Sequence, residues 1–371
     1  MPREAAEVFA ERTDVQAPQQ RRRGRGALSN MSGRFEKQSR VAFDDGWGGD
    51  EEELPPFRTR VHEECARTII TRNDSPDISF DRSINPYRGC EHGCIYCYAR
   101  PSHCYLGHSA GLDFETELYA KPDAAMLLER ELAAPQYKPA TMALGTNTDP
   151  YQPIERERRI TRSILEVLDR TSHPTGIVTK SALVLRDIDI LARMAERGLV
   201  KVALSITTLD RHLARRMEPR ASTPQRRLDA IRQLSEAGIP TAVMVAPVIP
   251  SLNDQEIEGI LSAAKAAGAK QAGYVMLRLP LELKDLFREW LQTEVPDRAK
   301  RVLHLLQSMH GGKDYVAAFG HRGRGSGPYA DQISARFRLA LKRLGLNERR
   351  YPLRTDLFTP PVPCGEQLRL F

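Results

Sequence analysis

Residues 78 to 280 alternate between short apolar runs and longer segments whose apolar residues fall on one helical face. The short runs are rich in Val, Ile, Leu and Ala, a composition that predicts buried strands. Six strands are predicted, at residues 79–86, 140–145, 175–180, 200–206, 240–247 and 271–279. A strand that is followed each time by a helix is typical of a parallel sheet covered by helices, so this alternation predicts an α/β fold.

The segments between the strands predict helices, because their apolar residues recur about every 3.6 positions. These helices cover residues 122–133, 154–170, 183–197, 224–237 and 254–267. Gly198, Gly238 and Gly268 follow three of them, at positions where glycine commonly ends a helix. Two further helices are predicted beyond the repeating part, at 283–293 and 297–309.

The two ends of the chain differ in composition from the repeating part. Residues 1–56 carry the basic run RRRGRG and the acidic run DDGWGGDEEELPP, with few branched apolar side chains. Such a segment buries too little apolar surface to offset the entropy lost on ordering, so we predict a disordered N-terminal tail. Residues 78–330 are the predicted core domain, and residues 331–371 a basic, helical C-terminal extension.

The composition also bears on the cellular compartment. The sequence has no apolar run of about 18 residues, the length that spans a membrane, and its first residues lack the features of a secretory signal. Its six cysteines are too few, and three of them too closely spaced, for a disulfide-stapled secreted fold. We therefore predict a cytoplasmic protein with no membrane partner.

Three cysteines, Cys90, Cys94 and Cys97, stand close together in the run NPYRGCEHGCIYCYA. A structural zinc site usually takes four protein ligands, and no second cysteine pair follows downstream, so zinc is disfavoured. A four-iron cluster ordinarily takes four cysteines. Three would leave one iron open to a small molecule, so the spacing favours an iron–sulfur cluster with a vacant coordination position.

The cysteine triplet, with Tyr96 before its third member, resembles the cluster motif of the radical SAM superfamily. The extended run GCEHGCIYCYA looks most like the spore photoproduct lyase branch and its uncharacterised relatives, over roughly residues 78–330. The resemblance implies an open (β/α)6 partial TIM barrel. It also implies a [4Fe-4S] cluster that reductively cleaves S-adenosylmethionine to a 5′-deoxyadenosyl radical, with an electron donor such as flavodoxin or ferredoxin.

In this superfamily the loop after the second strand usually binds the methionine amino group, which here points to Thr146 and Asn147. The loop departs from the commoner Gly-Gly-Glu form. The alternative is a turn in which Asp149 holds backbone N–H groups. Lys180 and Ser205 end the third and fourth strands, similar in place to cofactor contacts in the photoproduct lyase branch. The alternatives are a surface lysine and a serine that is hydrogen-bonded within the fold.

Tyr96 and Tyr98 flank Cys97, in a segment that packs on the adenine in the family, although either ring fits a core position equally well. Cys104 is the spare thiol nearest the triplet. In photoproduct lyases a cysteine outside the cluster donates a hydrogen atom to the product radical, whereas most such thiols are inert small apolar residues. Glu218, with the Pro and Arg that follow it, is a weaker candidate for orienting ribose or substrate.

Two classes of function follow. The first is a radical enzyme, lyase-like, whose adenosyl radical abstracts hydrogen from a substrate such as a nucleic-acid base or lesion. The second is a nucleic-acid-binding iron–sulfur protein in which the cluster is structural or senses redox state. Between residues 320 and 354, nine Lys or Arg stand against two acidic residues, a balance that favours a nucleic-acid partner but is also typical of a solvated helix face.

Overall fold

The computed structural model describes residues 24–36 and 58–361. The strands are β1 (Arg60–Glu63), β2 (Ile70–Arg72), β3 (Arg82–Ile84), β4 (Tyr87–Arg88), β5 (Glu117–Ala120), β6 (Met142–Leu144), β7 (Thr175–Thr179), β8 (Val200–Ser205), β9 (Thr241–Val248) and β10 (Gln271–Met276). Seven of them form the main sheet, in the order β10-β9-β8-β7-β6-β3-β2.

The main sheet confirms the predicted α/β class. β3, β6, β7, β8, β9 and β10 pair with one another in parallel, and each overlaps one of the six predicted strands. β2 adds an antiparallel strand beside β3. Because β2 and β10 stand at opposite ends of the sheet order, the sheet does not close, and the fold is an open partial barrel.

The helices follow the predicted positions, apart from two short ones that were not predicted, Asp113–Thr116 and Arg211–Met217. They are α1 (Asp113–Thr116), α2 (Ala124–Leu132), α3 (Glu155–Arg158), α4 (Ile160–Arg170), α5 (Ile188–Glu196), α6 (Arg211–Met217), α7 (Pro224–Glu236), α8 (Ile257–Ala266), α9 (Leu283–Glu294), α10 (Pro296–Ser308) and α11 (Pro328–Leu344). The helix predicted over 154–170 is divided in two, because Arg159 has a left-handed φ of 53°. Gly198, Gly238 and Gly268 have positive φ values of 70°, 77° and 101°, which confirms them as helix ends.

A small second sheet, in the order β1-β5-β4, lies outside the predicted repeat. β1 and β5 pair in parallel, and β5 pairs with β4 in antiparallel. β1 was not predicted because its four residues, Arg60–Glu63, are mostly exposed and carry no alternating apolar pattern. The sheet matters for the site because β4 leads directly into the cysteine loop.

Residues 24–36, called here the N-terminal strap, correct the prediction of a disordered tail over 1–56. Arg25 and Ala27 are 4% and 1% exposed. The backbone N–H groups of Gly26 and Ala27 donate to the buried carboxylate of Glu115, at 3.0 and 2.8 Å. Composition could not predict that the strap is ordered, because the Glu115 carboxylate that accepts its hydrogen bonds lies almost ninety residues later in the sequence. Residues 1–23 and 37–57, which hold the rest of the predicted tail, lie outside the described residues.

The predicted boundary after residue 330 falls within α11 and does not mark a structural division. Ile333 and Phe337 of this helix are 1% and 4% exposed. Arg336 donates to the Glu258 carboxylate of α8 at 2.6 and 2.9 Å, so the helix packs onto the barrel. The amphipathic face of α11 was evident in the sequence, but its partner surface was not. Among the described residues, no helix has the length and apolar character needed to cross a membrane.

Candidate active site

The cysteine loop, residues 89–98, follows β4 and is fixed by backbone hydrogen bonds. The N–H of Cys90 donates to the carbonyl of Phe114 at 2.9 Å, and the N–H of Ile95 donates to that of Met217 at 3.0 Å. Gly89 starts the loop with a left-handed φ of 73°. The loop lies beyond the carboxyl end of β3, the first parallel strand, but β4 of the small sheet stands between them, whereas the sequence predicted that the loop follows this strand directly.

The environment of the three cysteine side chains favours the binding of a metal cluster over contact with solvent. Cys90 and Cys94 are buried, and Cys97 is half-buried. Burial, together with Glu218, raises the pKa of Cys94 to about 12, and burial also raises the pKa of Cys90. A metal that replaces the proton relieves this cost, because the thiolate is then paired with a cation.

The donor set fits a four-iron cluster better than a single ion. Across residues 24–36 and 58–361, no group of three His, Cys, Asp or Glu side chains is arranged around one metal position. A four-iron cluster does not require that arrangement, because each cysteine binds a different iron. Three sulfur donors on one loop therefore agree with the cluster predicted from the spacing.

A buried ion pair joins the N-terminal strap to the cysteine loop. Arg100 donates from Nη2 to Glu115 at 2.5 Å and from Nε to the carbonyl of Cys94 at 2.9 Å. A Cβ on Gly26 would lie 1.8 Å from the carbonyl oxygen of Gly93, so only glycine allows the strap to approach this closely. The strap is thus the outer wall of the loop that carries the cysteines.

Tyr96 is anchored by a second buried ion pair. Its hydroxyl and that of Thr207 both donate to the Glu218 carboxylate, which also accepts from Arg227. Burial alone would raise the pKa of Glu218, but Arg227 and Lys180 lower it to about 2. Glu218 is therefore ionised and orients Tyr96, instead of lying free to contact a ligand.

Lys180 and Ser205 lie at the ends of β7 and β8, beside this ion pair. The Lys180 ammonium is 5.6 Å from the ring centroid of Tyr96 and is half-buried, so it is not a surface lysine. Ser205 is 3% exposed, and its carbonyl accepts from Arg227 at 2.8 Å. Within the described part of the chain its hydroxyl has no hydrogen-bond partner, which leaves that group available to a ligand.

Asp149 holds backbone N–H groups in a turn, which is the alternative predicted for the loop after β6. Its carboxylate accepts from the Thr179 hydroxyl at 2.6 Å and from the N–H groups of Lys180 and Tyr151 at 2.8 and 2.9 Å. Burial would raise its pKa, but His92, 3.3 Å away, helps to lower it to about 2. Asp149 therefore ties the loop after β6 to the end of β7 and to the cysteine loop.

A cavity of about 610 Å³ opens beside the cysteine loop. Tyr98, Thr146 and Asn147 line it, and the Tyr98 hydroxyl donates to the carbonyl of Thr146. The Asn85 side-chain oxygen accepts from the N–H of Asn147 at 3.0 Å and so fixes the loop that faces the cavity. Three of the predicted cofactor residues thus share one surface, while Tyr96, Lys180 and Ser205 are grouped around Glu218.

The charge of the cavity wall is entirely positive. Its charged lining residues are Arg88, Lys121, Arg278 and Arg322, with no Asp or Glu in the lining. Arg88 and Arg322 have carboxylate partners, Glu64 and Asp77. In the described ranges Lys121 and Arg278 have none: Lys121 donates to the Asn85 carbonyl at 3.2 Å, and Arg278 lies 3.9 Å above the Tyr98 ring.

Cys104 does not line this cavity, although Ser102 and His103 of the same short 3-10 helix, Arg100–Leu106, do. Its thiol faces the strap instead, 3.0 Å from where a Cβ on Gly33 would lie. Burial raises the pKa of this thiol to about 11, so it is a neutral thiol packed beneath the strap. The predicted hydrogen-donor role stays a prediction with no cavity contact to support it.

Sequence reasoning missed several residues of the site. Asn85 and Arg278 lie at the ends of predicted strands, so the rule that selected Lys180 and Ser205 would have found them too. Arg227 and Lys121 gave no such signal, because a charged residue on a helix or in the turn after a short strand is ordinarily solvated.

These features define a class of protein: a partial βα barrel with three cysteines on the loop after its first parallel strand. A model of the radical SAM superfamily matches residues 84–264. The chain belongs to the radical SAM superfamily; it is an enzyme with a four-iron, four-sulfur cluster and S-adenosylmethionine as cofactors, and it needs a reductant.

Two uncharacterised proteins are similar to this chain in sequence. An uncharacterised protein of Mycobacterium tuberculosis is 36% identical over 247 residues, which is 66% of this chain and 73% of that protein. An uncharacterised protein of Methanocaldococcus jannaschii is 31% identical over 173 residues, 47% of this chain and 62% of that protein.

Among solved structures, the fold is similar to that of spore photoproduct lyase. The complex with dinucleoside spore photoproduct has a TM-score of 0.52 at 17% identity, covering 76% of this chain and 78% of that chain. A variant with bound AdoMet and dinucleoside spore photoproduct has a TM-score of 0.53 at 16% identity, with coverage of 76% and 78%. At these identities the likeness concerns the fold alone.

Proposed function

We propose that this radical SAM enzyme abstracts hydrogen from a nucleic-acid base or base lesion, in a lyase-like reaction. The observation that carries the proposal is the cavity beside the cysteine loop, whose wall has no carboxylate and holds two cationic side chains, Lys121 and Arg278, without a carboxylate partner among the described residues. Its volume of about 610 Å³ lies in the range of small-ligand sites. A wall of one sign of charge attracts an anionic substrate.

The cofactors and the chain have separate roles. When bound, the cluster and S-adenosylmethionine supply the 5′-deoxyadenosyl radical that abstracts hydrogen. Lys180 pairs with the cofactor carboxylate, and the Ser205 hydroxyl hydrogen-bonds its ribose or methionine part. Tyr96, fixed by Glu218, packs against the cofactor. Electrons come from a small acidic carrier such as flavodoxin or ferredoxin.

The substrate side of the cavity divides into a charged part and a polar part. Lys121 and Arg278, which have no carboxylate partner among the described residues, bind the substrate phosphates. The sequence assigned Thr146, Asn147 and Tyr98 to the cofactor. Because all three line this cavity, we assign them instead to the substrate: Thr146 and Asn147 hydrogen-bond base edges, and the Tyr98 ring contributes a flat apolar surface. This division matches a nucleotide, which carries its charge on one side and its hydrogen-bonding groups on the other.

The proposal is tested by anaerobic reconstitution with iron and sulfide, followed by a reductant and S-adenosylmethionine. We expect 5′-deoxyadenosine above the level of a Cys94→Ala control, with formation faster when an oligonucleotide substrate is present. No 5′-deoxyadenosine above that control would contradict the proposed enzyme activity and favour a structural or redox-sensing cluster.

A second comparison tests the substrate class. Arg278→Ala is expected to lower oligonucleotide-stimulated turnover at least about tenfold, since a charge-assisted contact contributes roughly 1.5–3 kcal/mol. The matched control is Arg338→Ala, which removes an exposed arginine on α11. Equal turnover by the two variants would remove the support for a nucleic-acid substrate.

A further inference from the structure

Four large apolar side chains are exposed on the strap and on the two segments next to the cavity lining. Met31, Phe35, Tyr105 and Leu281 have exposed fractions of 52%, 54%, 70% and 55%. Isolated exposed apolar residues are common on soluble proteins, but a group of this kind marks an interaction surface. We call these four residues, together with Arg34, the rim patch.

The aromatic part of the rim patch is held in one arrangement. The ring centroids of Phe35 and Tyr105 are 5.1 Å apart. Arg34 lies over both rings, with its guanidinium carbon 4.9 and 5.2 Å from the two centroids. The same guanidinium donates to both carboxylate oxygens of Glu282, at 2.6 and 2.7 Å. The patch is therefore preorganised, and its one cation is already neutralised.

The rim patch is continuous with the cavity through two short connections. Tyr105 belongs to the 3-10 helix Arg100–Leu106, from which Ser102, His103 and Leu106 line the cavity. Leu281 follows Pro280, which also lines it. Tyr105 and Leu281 are therefore next in sequence to residues of the cavity lining.

We propose that the rim patch stacks unpaired bases next to the base held in the cavity, so that the substrate is a single-stranded or locally unpaired nucleic acid. This inference rests on the proposed function. Aromatic rings and an arginine plane are the surfaces on which unpaired bases stack, whereas paired bases within a duplex expose no face. Because Arg34 is paired with Glu282, the patch offers rings and not free charge, and the phosphates are left to Lys121 and Arg278.

The test measures the binding of fluorescent oligonucleotides to the cluster-loaded enzyme. A single strand is compared with the same strand in a duplex, and 2-aminopurine replaces the base beside the target to report stacking. We expect tighter binding and stronger 2-aminopurine quenching for the single strand. Phe35→Ala and Tyr105→Ala are each expected to weaken single-strand binding about tenfold and to relieve the quenching, because stacking on one ring contributes roughly that factor.

The controls remove an exposed apolar side chain elsewhere. Met126→Ala and Leu339→Ala change residues that are 59% and 69% exposed, and they should leave binding unchanged. Tyr105→Phe keeps the ring and should retain binding. Iron content and far-UV circular dichroism, matched to the wild-type values, verify that each variant is folded.

The outcomes separate the two proposals. If single strands bind and Arg278→Ala weakens them, but both rim variants bind as the wild type does, the rim inference is overturned and the proposed function stands. If no nucleic acid binds at low salt, the proposed substrate fails as well. A rim variant that alters the oligomeric state in sedimentation, without affecting nucleic-acid binding, would assign the patch to a second copy of the chain and overturn the inference.

Discussion

Gly26 is the residue where the N-terminal strap touches the cysteine loop, and it has no room for a side chain. A Cβ there would lie 1.8 Å from the backbone oxygen of Gly93. We expect Gly26→Ala to lower the free energy of unfolding by about 3 kcal/mol or more, because the backbone of the strap and that of the cysteine loop must both move. We also expect a lower iron content after reconstitution.

Thermal unfolding and iron analysis measure these effects. The matched control is Gly176→Ala, since a Cβ on Gly176 meets nothing nearer than 3.8 Å. Equal stability and iron content in the two variants would show that the strap does not support the loop.

Glu218 gives a prediction with a defined pH dependence. Glu218→Gln leaves the Arg227 guanidinium buried without its carboxylate, a change that costs about 3–5 kcal/mol. The pKa of Glu218 in the folded protein is about 2, below its ordinary 4.5. Its contribution to stability is therefore complete above pH 4.5 and is lost as the pH falls towards 2.

Urea unfolding of the wild type and the variant at a series of pH values checks this. The difference in unfolding free energy between the wild type and Glu218→Gln should be large near neutral pH and should become smaller below pH 4.5. Glu236→Gln, an exposed position on the same helix as Arg227, is the control. A difference that does not depend on pH would contradict the assigned ionisation.

Cys104 offers a direct test of the predicted hydrogen-donor role. Because its thiol faces Gly33 and not the cavity, we expect Cys104→Ala to leave product yield unchanged with the true substrate. The measurement is product formed per 5′-deoxyadenosine. A fall in that ratio, with 5′-deoxyadenosine formation intact, would establish the donor role and require the strap to move during turnover.

At the level of elements, the parallel strands were the most predictable part. The residues of Val200–Ser205 and Thr241–Val248 are mostly apolar and are buried or half-buried. Such a run predicts a buried strand from its own composition, whichever strands lie beside it. The strap and β1 were not predictable, because their order depends on partners distant in sequence: Glu115 for Gly26, and β5 for β1. The site divides in the same way, since the cysteine spacing is local, whereas Tyr96 and its acceptor Glu218 lie far apart in the sequence.

Helix α11 joins the predicted basic extension to the barrel, and its packing there can be tested. Phe337 is 4% exposed and packs with Tyr274 of β10 at a centroid distance of 4.6 Å. We expect Phe337→Ala to cost about 3–5 kcal/mol of unfolding free energy.

Leu339→Ala, on the exposed face of the same helix, should cost less than about 0.5 kcal/mol, since Leu339 is 69% exposed. Chemical unfolding followed by circular dichroism measures both. Similar values for the two variants would mean that α11 is not part of the barrel core.

At the scale of the whole molecule, the net charge of +7 is less informative than where unpaired charge lies. Arg336 of the extension is paired with Glu258, whereas Lys121 and Arg278 of the cavity wall have no carboxylate partner among the described residues. The basic count in the sequence pointed to residues 320–354, but of the basic residues in that range only Arg322 lines the cavity.

This distribution predicts how salt affects nucleic-acid binding. For single strands, the slope of log K against log salt becomes shallower by about 0.7 for each phosphate that the protein no longer neutralises. We expect Arg278→Ala and Lys121→Ala each to reduce the slope by about that amount, and the exposed Arg338→Ala to leave it unchanged. Titrations at several salt concentrations measure the slopes. A larger effect from Arg338→Ala would move the binding surface to α11.

The strap also sets an order of assembly. Gly26 and Ala27 are synthesised early, yet their acceptor, Glu115, follows almost ninety residues later, so the strap docks only after the cysteine loop has been made. Because the docked strap contacts the backbone of that loop at Gly93, we expect the loop to reach its final geometry only when the strap docks. Docking of the strap is then a late step in ordering the residues that hold the cysteines.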